Sequence, residues 1–431
     1  MSNKPLIFLE LNEISIDFVE KYISLGELPN FKKLLSKKKL FKTRSEEKYH
    51  LLEPWIQWVT VHTGLDFKDH KIFRLGDGIN HEENIWNKLN KIGINSILIS
   101  PMNSKNPKLD KSIYVPDPWN DSGFNGNFFL KLLHKSVSSI VNNNANNKFN
   151  YLVLGAFLIS FFRFAKLRNY PLYFKLFLGF SRKKWNKAIF LDLLLFDVFS
   201  NVLDANKYKF SSIFLNGSAH IQHHYFHSSK VYDGKKTNPN WYCSFYEDPL
   251  LDVYKVYDKI LENLFKRNKN FRILIASGLS QEPTENPTYY WRLKNHSEFL
   301  TKLKINFLKI EPRMSRDFVV FFKSFDDASL AEAELLKLNI NNQQLFEIDN
   351  RGSTLFVTLK FPDLISSNTN LYYEQSILME NFFDLVSLVA LKNGKHNEVG
   401  YFIDSDVKKD EEIDFIPLKS IYGIILQNFK I

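Results

Sequence analysis

Cysteine is almost absent from this chain, which has one Cys among its 431 residues. A single thiol, Cys243, excludes an internal disulfide framework, and it also excludes a zinc cluster built on cysteines. Scarcity of cysteine fits a protein that works in a reducing compartment. The sequence therefore predicts a cytoplasmic protein.

Long hydrophobic runs are also lacking. The longest, Tyr151 to Phe164, reads YLVLGAFLISFFRF and is shorter than the roughly 20 residues that a membrane-spanning helix needs. The N-terminal segment MSNKPLIFLELNE reaches Glu10 and Glu13 after only a few apolar residues, so it is not expected to be a signal peptide. Peripheral contact at the inner face of the membrane is the membrane role that remains open.

Glycine and proline are few, at 16 and 15 residues, whereas 44% of the residues are hydrophobic and 15% are aromatic. This composition excludes disorder and provides apolar side chains for a large core.

The net charge of +10 comes with lysines spread along the chain and one dense run, Lys32 to Lys42, without a nucleic-acid reading motif. We therefore expect an anionic small-molecule, glycan or lipid-linked substrate and no nucleic-acid partner.

Short apolar runs alternate with helical patterns, which is typical of a mostly parallel sheet with helices on both faces. The predicted fold class is α/β, with a doubly wound, mostly parallel central sheet. The predicted strands are Leu6 to Leu11, Ser96 to Ser100, Ser211 to Asn216, Phe271 to Ser277 and Tyr401 to Asp404. The predicted helices are Ser15 to Leu25, Trp55 to Thr63, Asn84 to Ile92, Leu250 to Lys266 and Gln375 to Leu391.

Two stretches depart from this alternation and are predicted to be insertions. Residues 127–204 are almost entirely helical in pattern, and residues 301–361 contain a strand, a helix and further strands. The expected core comprises residues 1–126, 205–300 and 362–431. The smaller insertion is expected either to cap and shape the main site or to be a structural flap.

Within the helical insertion, residues 151–185 interleave aromatic and aliphatic side chains with lysine and arginine. One interpretation is a helical subdomain packed on the body of the protein, because apolar helical stripes are usually core. The other is a basic amphipathic surface that rests on an anionic membrane or on a lipid-linked substrate. The sequence leaves both interpretations open.

Four of the eleven histidines lie in one stretch, NGSAHIQHHYFH, directly after a predicted strand. If a helix begins at Gly217, all four imidazoles fall on one of its faces. They are His220, His223, His224 and His227. Two imidazoles one turn apart can share a metal ion, but imidazoles at a helix start can also simply donate to backbone carbonyls. Because ligands of open α/β sheets bind beyond the carboxyl ends of the strands, a functional role is favoured.

The order of motifs resembles the alkaline phosphatase superfamily, specifically its type I phosphodiesterase and nucleotide pyrophosphatase branch. LIFLELNE followed by LPNFKKLL is similar to the first strand and helix of that branch, and EPWIQWVTVHTG to its nucleophile helix. SSIFLNGSAHIQHHYF is similar to its Asp-His-x-x-His segment, FRILIASGLS to the strand ending in Ser-Asp-His-Gly, and HNEVGYFI to the segment with the last metal histidine. The resemblance covers most of residues 5–120, 187–300 and 370–429.

This resemblance implies an alkaline-phosphatase-like core. Members of the family use two divalent metals, held by Asp and His, around a Thr or Ser nucleophile. Several of those positions differ here: Asn12 and Ala219 stand for aspartates, Pro54 for the nucleophile, and Gly278 with Leu279 for an Asp-His pair. An ordinary two-metal phosphatase is therefore not expected.

Two metal histidines of the family remain, His223 and His396. The resemblance implies a third ligand from a small set of neighbours, namely His220, His224, Glu10, Glu13 or Glu282. Two histidines and one carboxylate can bind a transition metal. The expected cofactor is one divalent metal, zinc or manganese, with a metal-free site as the alternative.

The pocket that these motifs define keeps polar side chains. The predicted catalytic residues are Glu13, Glu53 and His220, since carboxylates and imidazoles in one cleft suit general acid-base chemistry. The predicted substrate-binding residues are Asn12, Trp55, Gln57, His224 and Ser280. The tryptophan suits stacking on a sugar ring or a base, although core packing of a short helix would also explain it.

Three functions follow from this pattern. The first is an enzyme of altered mechanism that hydrolyses or transfers a group on an anionic substrate, one bearing phosphate, sulfate or glycosyl phosphate, in surface-glycan metabolism. The second is a pseudoenzyme or ligand-binding protein on the same fold, which the lost ligands favour. The third is a metal-independent transferase of polysaccharide assembly that uses only carboxylates and histidines.

Overall fold

The computed structural model describes residues 4–46, 48–76, 84–106, 111–118, 123–143, 151–313, 315–410, 412 and 414–431. The chain divides into two compact units. The first unit comprises Met1–Val141, Asn150–Thr284 and Gly394–Ile431, and the second comprises Asn142–Phe149 and Glu285–Asn393.

The strands, in chain order, are β1 (Leu6–Leu11), β2 (Lys38–Arg44), β3 (Ser96–Ile99), β4 (Ile113–Val115), β5 (Phe210–Leu215), β6 (Arg272–Ala276), β7 (Ser280–Leu293), β8 (Lys309–Pro312), β9 (Asp317–Phe321), β10 (Leu338–Ile340), β11 (Gln343–Gln344), β12 (Phe346–Asn350), β13 (Thr354–Leu359), β14 (Leu371–Tyr373), β15 (Ser376–Met379), β16 (Val386–Asn397), β17 (Val399–Lys408) and β18 (Phe415–Pro417). The helices are α1 (Ile16–Ser24), α2 (Pro29–Lys37), α3 (Pro54–Thr63), α4 (Phe67–His70), α5 (Ile85–Lys91), α6 (Phe128–Asn143), α7 (Tyr151–Phe164), α8 (Tyr170–Leu178), α9 (Asn186–Val202), α10 (Gly217–Tyr225), α11 (Pro249–Arg267), α12 (His296–Lys302), α13 (Phe325–Leu336) and α14 (Ser420–Asn428).

The central sheet of the first unit has the strand order β18-β2-β17-β6-β1-β5-β3-β4. The five strands from β6 to β4 in this order are parallel to one another. β17 runs antiparallel to both β2 and β6. The predicted α/β fold with a mostly parallel central sheet is confirmed, and each of the five predicted strands overlaps an observed one.

Helices cover both faces of this sheet. Successive side chains of a strand point to opposite faces, so β1 supplies two separate cores. Ile7 and Leu9 belong to a core that also contains buried residues of α1, α2, α9, α10 and α11. Leu6 and Phe8 belong to the other core, with residues of α3, α5 and α14. Because both faces are buried, the strands are apolar runs without polar alternation, and this explains why they could be predicted.

The described part of the helical stretch predicted as an insertion, residues 127–204, forms α6 to α9, of which α7, α8 and α9 lie in the first unit. Ile189 and Leu193 of α9 lie in the same core as β1, so this part of the chain is integral to the unit. Across the described residues, no helix combines the length and the apolar character required to cross a bilayer.

The second unit is an α+β body, as the order of strand, helix and strands predicts. β12, β13, β9 and β8 form an antiparallel sheet, and α13 buries Ala328, Ala331 and Leu335 in the core that this sheet supplies. The unit extends over Glu285–Asn393, beyond the expected residues 301–361. It is wider because the chain enters it along β7 and leaves it along β16, two long strands that pair with each other.

The predicted helix from Gln375 to Leu391 is wrong. The structure has β15, a short 3-10 helix (Phe382–Leu385) and the first half of β16 in its place. The stretch SILMENFFDLVSLVAL spaces apolar residues in a way that fits a helix and a pair of strands equally well. Pairing of β16 with β7 decides between them, because β propensity depends on cross-strand neighbours that a local pattern does not contain.

Candidate metal centre

Three neighbouring strands of the central sheet end at the site. β1 pairs in parallel with both β5 and β6, so their carboxyl ends meet at one edge. Asn12 and Glu13 follow β1, α10 follows β5, and Gln281 lies a few residues after β6. Ligands of open α/β sheets bind at such an edge.

Glu13 is the buried carboxylate at this edge. Its backbone has a φ of 56°, in the left-handed region, and its amide donates to the Ser277 carbonyl oxygen at 3.0 Å. The residue as a whole is 1% exposed. Asn12 Nδ2 donates to Glu13 Oε1 at 3.0 Å, and Gln281 Nε2 donates to Glu13 Oε2. The carboxylate is therefore held in one position by two amide side chains.

Two imidazoles converge on Glu13. The Nε2 atom of His223, on α10, lies 3.3 Å from Glu13 Oε2, and the Nε2 atom of His396, on β16, lies 3.2 Å from the same oxygen. The two imidazole rings are 5.0 Å apart between centroids. One ligand atom from each of the three residues lies within 4.8 Å of the other two.

The other nitrogen of each ring faces an oxygen. His223 Nδ1 lies 3.4 Å from the Gly394 carbonyl oxygen, and His396 Nδ1 lies 3.8 Å from Glu53 Oε2. Metal-binding histidines usually present their second ring nitrogen to a carbonyl or a carboxylate, which fixes the tautomer and the ring orientation. With the proton on Nδ1, both Nε2 lone pairs point to Glu13.

Electrostatics favour a positive charge among these three groups. Burial by itself raises the pKa of the Glu13 carboxyl, but the imidazoles of His396 and His223 outweigh it and hold the pKa well below its ordinary value. A carboxylate oxygen and two ring nitrogens at these separations repel one another unless a proton or a metal ion lies between them. The cluster therefore suits a bound cation.

The geometry fits a transition metal. A tetrahedral zinc ion that binds nitrogen and oxygen ligands at about 2.1 Å holds neighbouring ligand atoms about 3.4 Å apart. The observed separations from Glu13 Oε2 are 3.3 Å to His223 and 3.2 Å to His396. Three protein ligands would leave one position of a tetrahedron open, which is the arrangement of catalytic zinc sites.

Asn12 is fully engaged with protein groups. Besides donating to Glu13, its Nδ2 donates to Asn216 Oδ1 at 2.8 Å, and its Oδ1 accepts from Trp58 Nε1 at 2.7 Å. Both amide hydrogens are therefore used within the chain. The predicted role of Asn12 in substrate binding stays a prediction, whereas its hydrogen bond to Glu13 is a positioning contact.

Helix α10 is anchored at its start by a carboxylate from α9. Asp192 Oδ2 accepts from the Gly217 amide at 2.7 Å and from the Tyr257 hydroxyl at 2.6 Å. A negative charge is favourable at the N-terminus of a helix. A Cβ on Gly217 would lie 2.6 Å from Asp192 Oδ2, so the close approach requires glycine. Helix α9 therefore fixes the start of the helix that carries His223.

Burial raises the pKa of Asp192 to about 6, although the hydrogen bonds from Tyr257, Gly217 and Asn216 act against it. We expect this group to make the protein less stable as pH rises from about 4 to about 6, by up to about 3 kcal/mol. The unfolded chain releases the proton near 3.8, whereas the folded chain retains it up to about 6. Between pH 3.8 and about 6 the folded state binds more protons than the unfolded state. The stabilisation that Asp192 contributes is therefore complete below pH 3.8 and is lost as the pH rises through about 6.

Urea unfolding at several pH values measures this dependence. Between pH 4 and 6, the wild-type free energy of unfolding should fall more steeply than that of Asp192→Asn, by up to about 1.4 kcal/mol per pH unit. Equal slopes in the two proteins would show that Asp192 does not retain its proton.

Close packing brings β16 to the site. A Cβ on Gly394 would lie 2.7 Å from both the Gln222 carbonyl oxygen and Gln281 Oε1, so only glycine lets the strand approach α10 this closely. Gln222 also donates through Nε2 to the Glu13 carbonyl oxygen at 2.6 Å. His396 follows Gly394 by two residues, and this contact sets its distance to Glu13.

The histidine quartet divides in the structure. The prediction that a helix begins at Gly217 is confirmed, but α10 ends at Tyr225. His227 therefore does not share the helix face: it is buried, its Nε2 lies 2.8 Å from the Thr284 carbonyl oxygen, and its ring stacks on Tyr232. The expectation that it lies with the other three is wrong, because α10 ends two residues before His227.

The remaining predicted residues lie around the cluster or away from it. The exposed His220 ring contacts half-buried His224, with 5.3 Å between centroids. Glu53 is half-buried at the start of α3. Ser280 is buried at the start of β7. Gln57 is buried on α3, and its Nε2 donates to the Leu51 carbonyl oxygen. Trp55 Nε1 donates to the Phe73 carbonyl oxygen.

Among the five expected third ligands, the structure brings Glu13 to the two histidines. Glu10 points to the other side of β1, where its Oε2 lies 3.0 Å from His62 Nε2. Glu282 lies 2.9 Å from Lys395 Nζ and accepts from Asn397 Nδ2. Within the described residues, the metal-ligand cluster contains neither His220 nor His224.

The supporting residues Gln222, Gly394 and Asp192 were not predicted to have site roles. Asp192 could not have been found from the sequence, because nothing in its sequence neighbourhood indicates which helix start it reaches. Its role appears only when α9 and α10 pack together.

Neither a protein-family model nor a curated protein matches this chain. Among solved structures, human ectonucleotide pyrophosphatase/phosphodiesterase 5 is similar with a TM-score of 0.43 and 11% identity, over 99% of this chain and 95% of that one. The murine protein gives a TM-score of 0.40 and 11% identity, over 98% and 94%. Phosphonoacetate hydrolase from Sinorhizobium meliloti in complex with phosphonoformate gives 0.41 and 11%, over 99% and 96%.

Proposed function

We propose that this chain binds one divalent transition metal through Glu13, His223 and His396 and uses the site to hydrolyse or transfer an anionic group. The observation that carries the proposal is the convergence of two Nε2 atoms on one buried carboxylate oxygen, at 3.2 and 3.3 Å. Those separations suit ligands of a common tetrahedral ion.

A single metal is proposed because the positions that a second one would need are neutral. Asn12, Ala219 and Leu279 cannot supply an anionic ligand. In the described part of the chain, no second group of three His, Cys, Asp or Glu side chains converges as Glu13 and its two histidines do. A water molecule is the natural nucleophile, because Pro54 stands where the resembled family has a hydroxyl.

The metal and the residues around the cluster would have separate roles in the reaction. When bound, the metal would polarise an oxygen of the substrate and lower the pKa of a water molecule. Glu53 lies 3.8 Å from His396 Nδ1, a position that suits orienting this ring and accepting its proton. His220 lies one turn before His223 on α10, and desolvation lowers its pKa to about 4, so its neutral imidazole can accept a proton from the attacking water.

The substrate class proposed is an ester or anhydride of phosphate, with sulfate and glycosyl phosphate as the other members of the class, as in surface-glycan metabolism. All carry the tetrahedral anionic oxygens that a metal centre with an open position can accept. The lack of a nucleophilic hydroxyl at the start of α3 would also suit a protein that binds such a ligand without turning it over.

We expect His396→Ala to lose its bound metal and at least about 100-fold in turnover, since even residues behind a ligand contribute 10- to 100-fold to metal affinity. Metal content of the purified protein is measured by mass spectrometry, and turnover on phosphomonoesters, phosphodiesters, sulfate esters and nucleotide sugars. His224→Ala is the matched control for metal content, because His224 follows His223 directly and lies outside the ligand cluster.

Each result decides between functions. Stoichiometric metal with turnover supports the enzyme, and stoichiometric metal without turnover on any substrate supports a binding protein. Turnover that survives both a chelator and His396→Ala would overturn the metal site in favour of a transferase that needs no metal. Equal metal loss in His224→Ala and His396→Ala would place the ion elsewhere.

A further inference from the structure

Helix α7 is apolar around its whole circumference, yet one face of it is exposed. Such helices are normally buried on all sides. The inner face packs on the body: Phe161 lies 5.6 Å from Phe190 of α9 between ring centroids. The outer face carries Leu158, Ile159 and Phe162, which are 43, 56 and 65% exposed. The outer face therefore presents large apolar side chains to solvent.

Helix α8 repeats this arrangement. Tyr173 on its inner face is buried and contacts both Phe161 and Phe190, with centroids 5.0 and 4.9 Å away. Its outer face carries Phe174, Phe177 and Leu178, which are 64, 61 and 63% exposed. Because both inner faces meet at one aromatic cluster, both outer faces point away from it. We call the six exposed side chains of α7 and α8 the apolar surface.

The charge of the whole chain is concentrated in the segment that contains this surface. Ser122 to Leu191 holds 11 of the 57 lysine and arginine residues and none of the 47 aspartate and glutamate residues. The net charge of +10 therefore arises entirely in this segment, and the remainder of the chain is close to neutral. Exposed Arg163 and Lys175 lie on α7 and α8 beside the apolar side chains.

We propose that the apolar surface docks on a bilayer that contains anionic phospholipid. Interfacial helices combine a face of Phe and Leu with flanking Lys and Arg, so that apolar side chains enter the acyl region while cations meet the headgroups. Each basic residue near an anionic surface contributes about 1 kcal/mol. The segment matches both requirements, and docking would cover side chains that are otherwise exposed to water.

Nucleic acid fits this surface less well. Phosphate backbones are bound by cations and polar groups, and bases stack on aromatic rings. Leu158, Ile159 and Leu178 offer neither a charge nor a ring, and they make up half of the apolar surface. An aliphatic environment is what these three side chains complement.

Vesicle flotation with the full chain tests the proposal. We expect the protein to float with vesicles of phosphatidylcholine and phosphatidylglycerol but not with phosphatidylcholine alone, and to be released by salt. The double variant Phe162→Ser/Phe174→Ser should bind at least about tenfold more weakly, given the free energy of burying an aromatic side chain. Lys175→Gln should cost about fivefold.

The control is Tyr246→Ser, which removes an aromatic ring that is 92% exposed in the first unit but outside α7 and α8. It should leave flotation unchanged, and all variants should keep the wild-type melting temperature because the altered side chains are exposed. Failure to float with the anionic vesicles, or equal flotation with both lipid mixtures, would overturn the proposal. So would self-association in solution that Phe162→Ser/Phe174→Ser abolishes, or binding of single-stranded RNA without binding of vesicles.

Discussion

Replacing Glu13 by glutamine is expected to empty the proposed metal centre and to lower the proposed turnover by at least about 100-fold. Glu13 Oε2 is the atom that both histidines approach, at 3.3 and 3.2 Å. Glutamine keeps the size of the side chain but removes its charge, so two imidazoles and a neutral amide would have to bind a dication in a buried site. Metal content and turnover of the purified variant measure the effect.

The matched control for this prediction is Glu282→Gln. Glu282 belongs to the same edge of the sheet, but it is half-buried and bonds to Lys395 and Asn397. It should retain metal and turnover within about twofold, as expected for a residue outside the ligand cluster. Stoichiometric metal in Glu13→Gln, or equal losses in the two variants, would contradict the proposed ligand set.

The second large effect is on stability, and it concerns the pair Glu10 and His62 on the opposite side of β1. We expect His62→Ala to lower the free energy of unfolding by about 3–5 kcal/mol, because it leaves a buried carboxylate without its main partner. Glu10 Oε2 lies 3.0 Å from His62 Nε2, and Glu10 Oε1 accepts from Ser212 Oγ. Glu10 and His62 are both fully buried, so water cannot replace the lost contact.

A double-mutant cycle separates the pair from the packing around it. Glu10→Leu/His62→Leu removes both polar groups at once, and it should be more stable than the sum of the single changes predicts by at least about 1 kcal/mol. Urea unfolding of the four proteins gives the coupling energy. Additive losses would mean that the two side chains do not stabilise each other.

The central sheet was predictable because its strands are buried on both faces. β1 is apolar at five of its six positions, and the predicted bounds Leu6 to Leu11 agree with the observed ones. Because the end of this strand was predicted correctly, Asn12 and Glu13, which follow it, could also be predicted to lie at the site. The helix prediction for Gln375 to Leu391 was wrong because the secondary structure of this stretch depends on a partner strand, β7, that lies about a hundred residues earlier in the chain.

The site was predictable in part. His223 and His396 are the histidines that the resembled motifs select, and the structure brings them together with Glu13. Sequence could not choose Glu13 from the five expected third ligands, because the choice depends on a left-handed backbone at that residue. Strand alternation does account for Glu10, which points to the opposite face of the sheet.

The position of β17 has a consequence for synthesis of the protein. β17 lies between β2 and β6, and Ser45 at the end of β2 bonds to Glu398, 353 residues later. At translation rates of 5–20 residues per second, β2 waits on the order of 20–70 s for its partner. During that time the nascent chain has unpaired strand edges on β2 and β6, which are prone to association with other chains. His396 lies on β16, three residues before β17 begins, so the proposed metal centre is completed in the same late step.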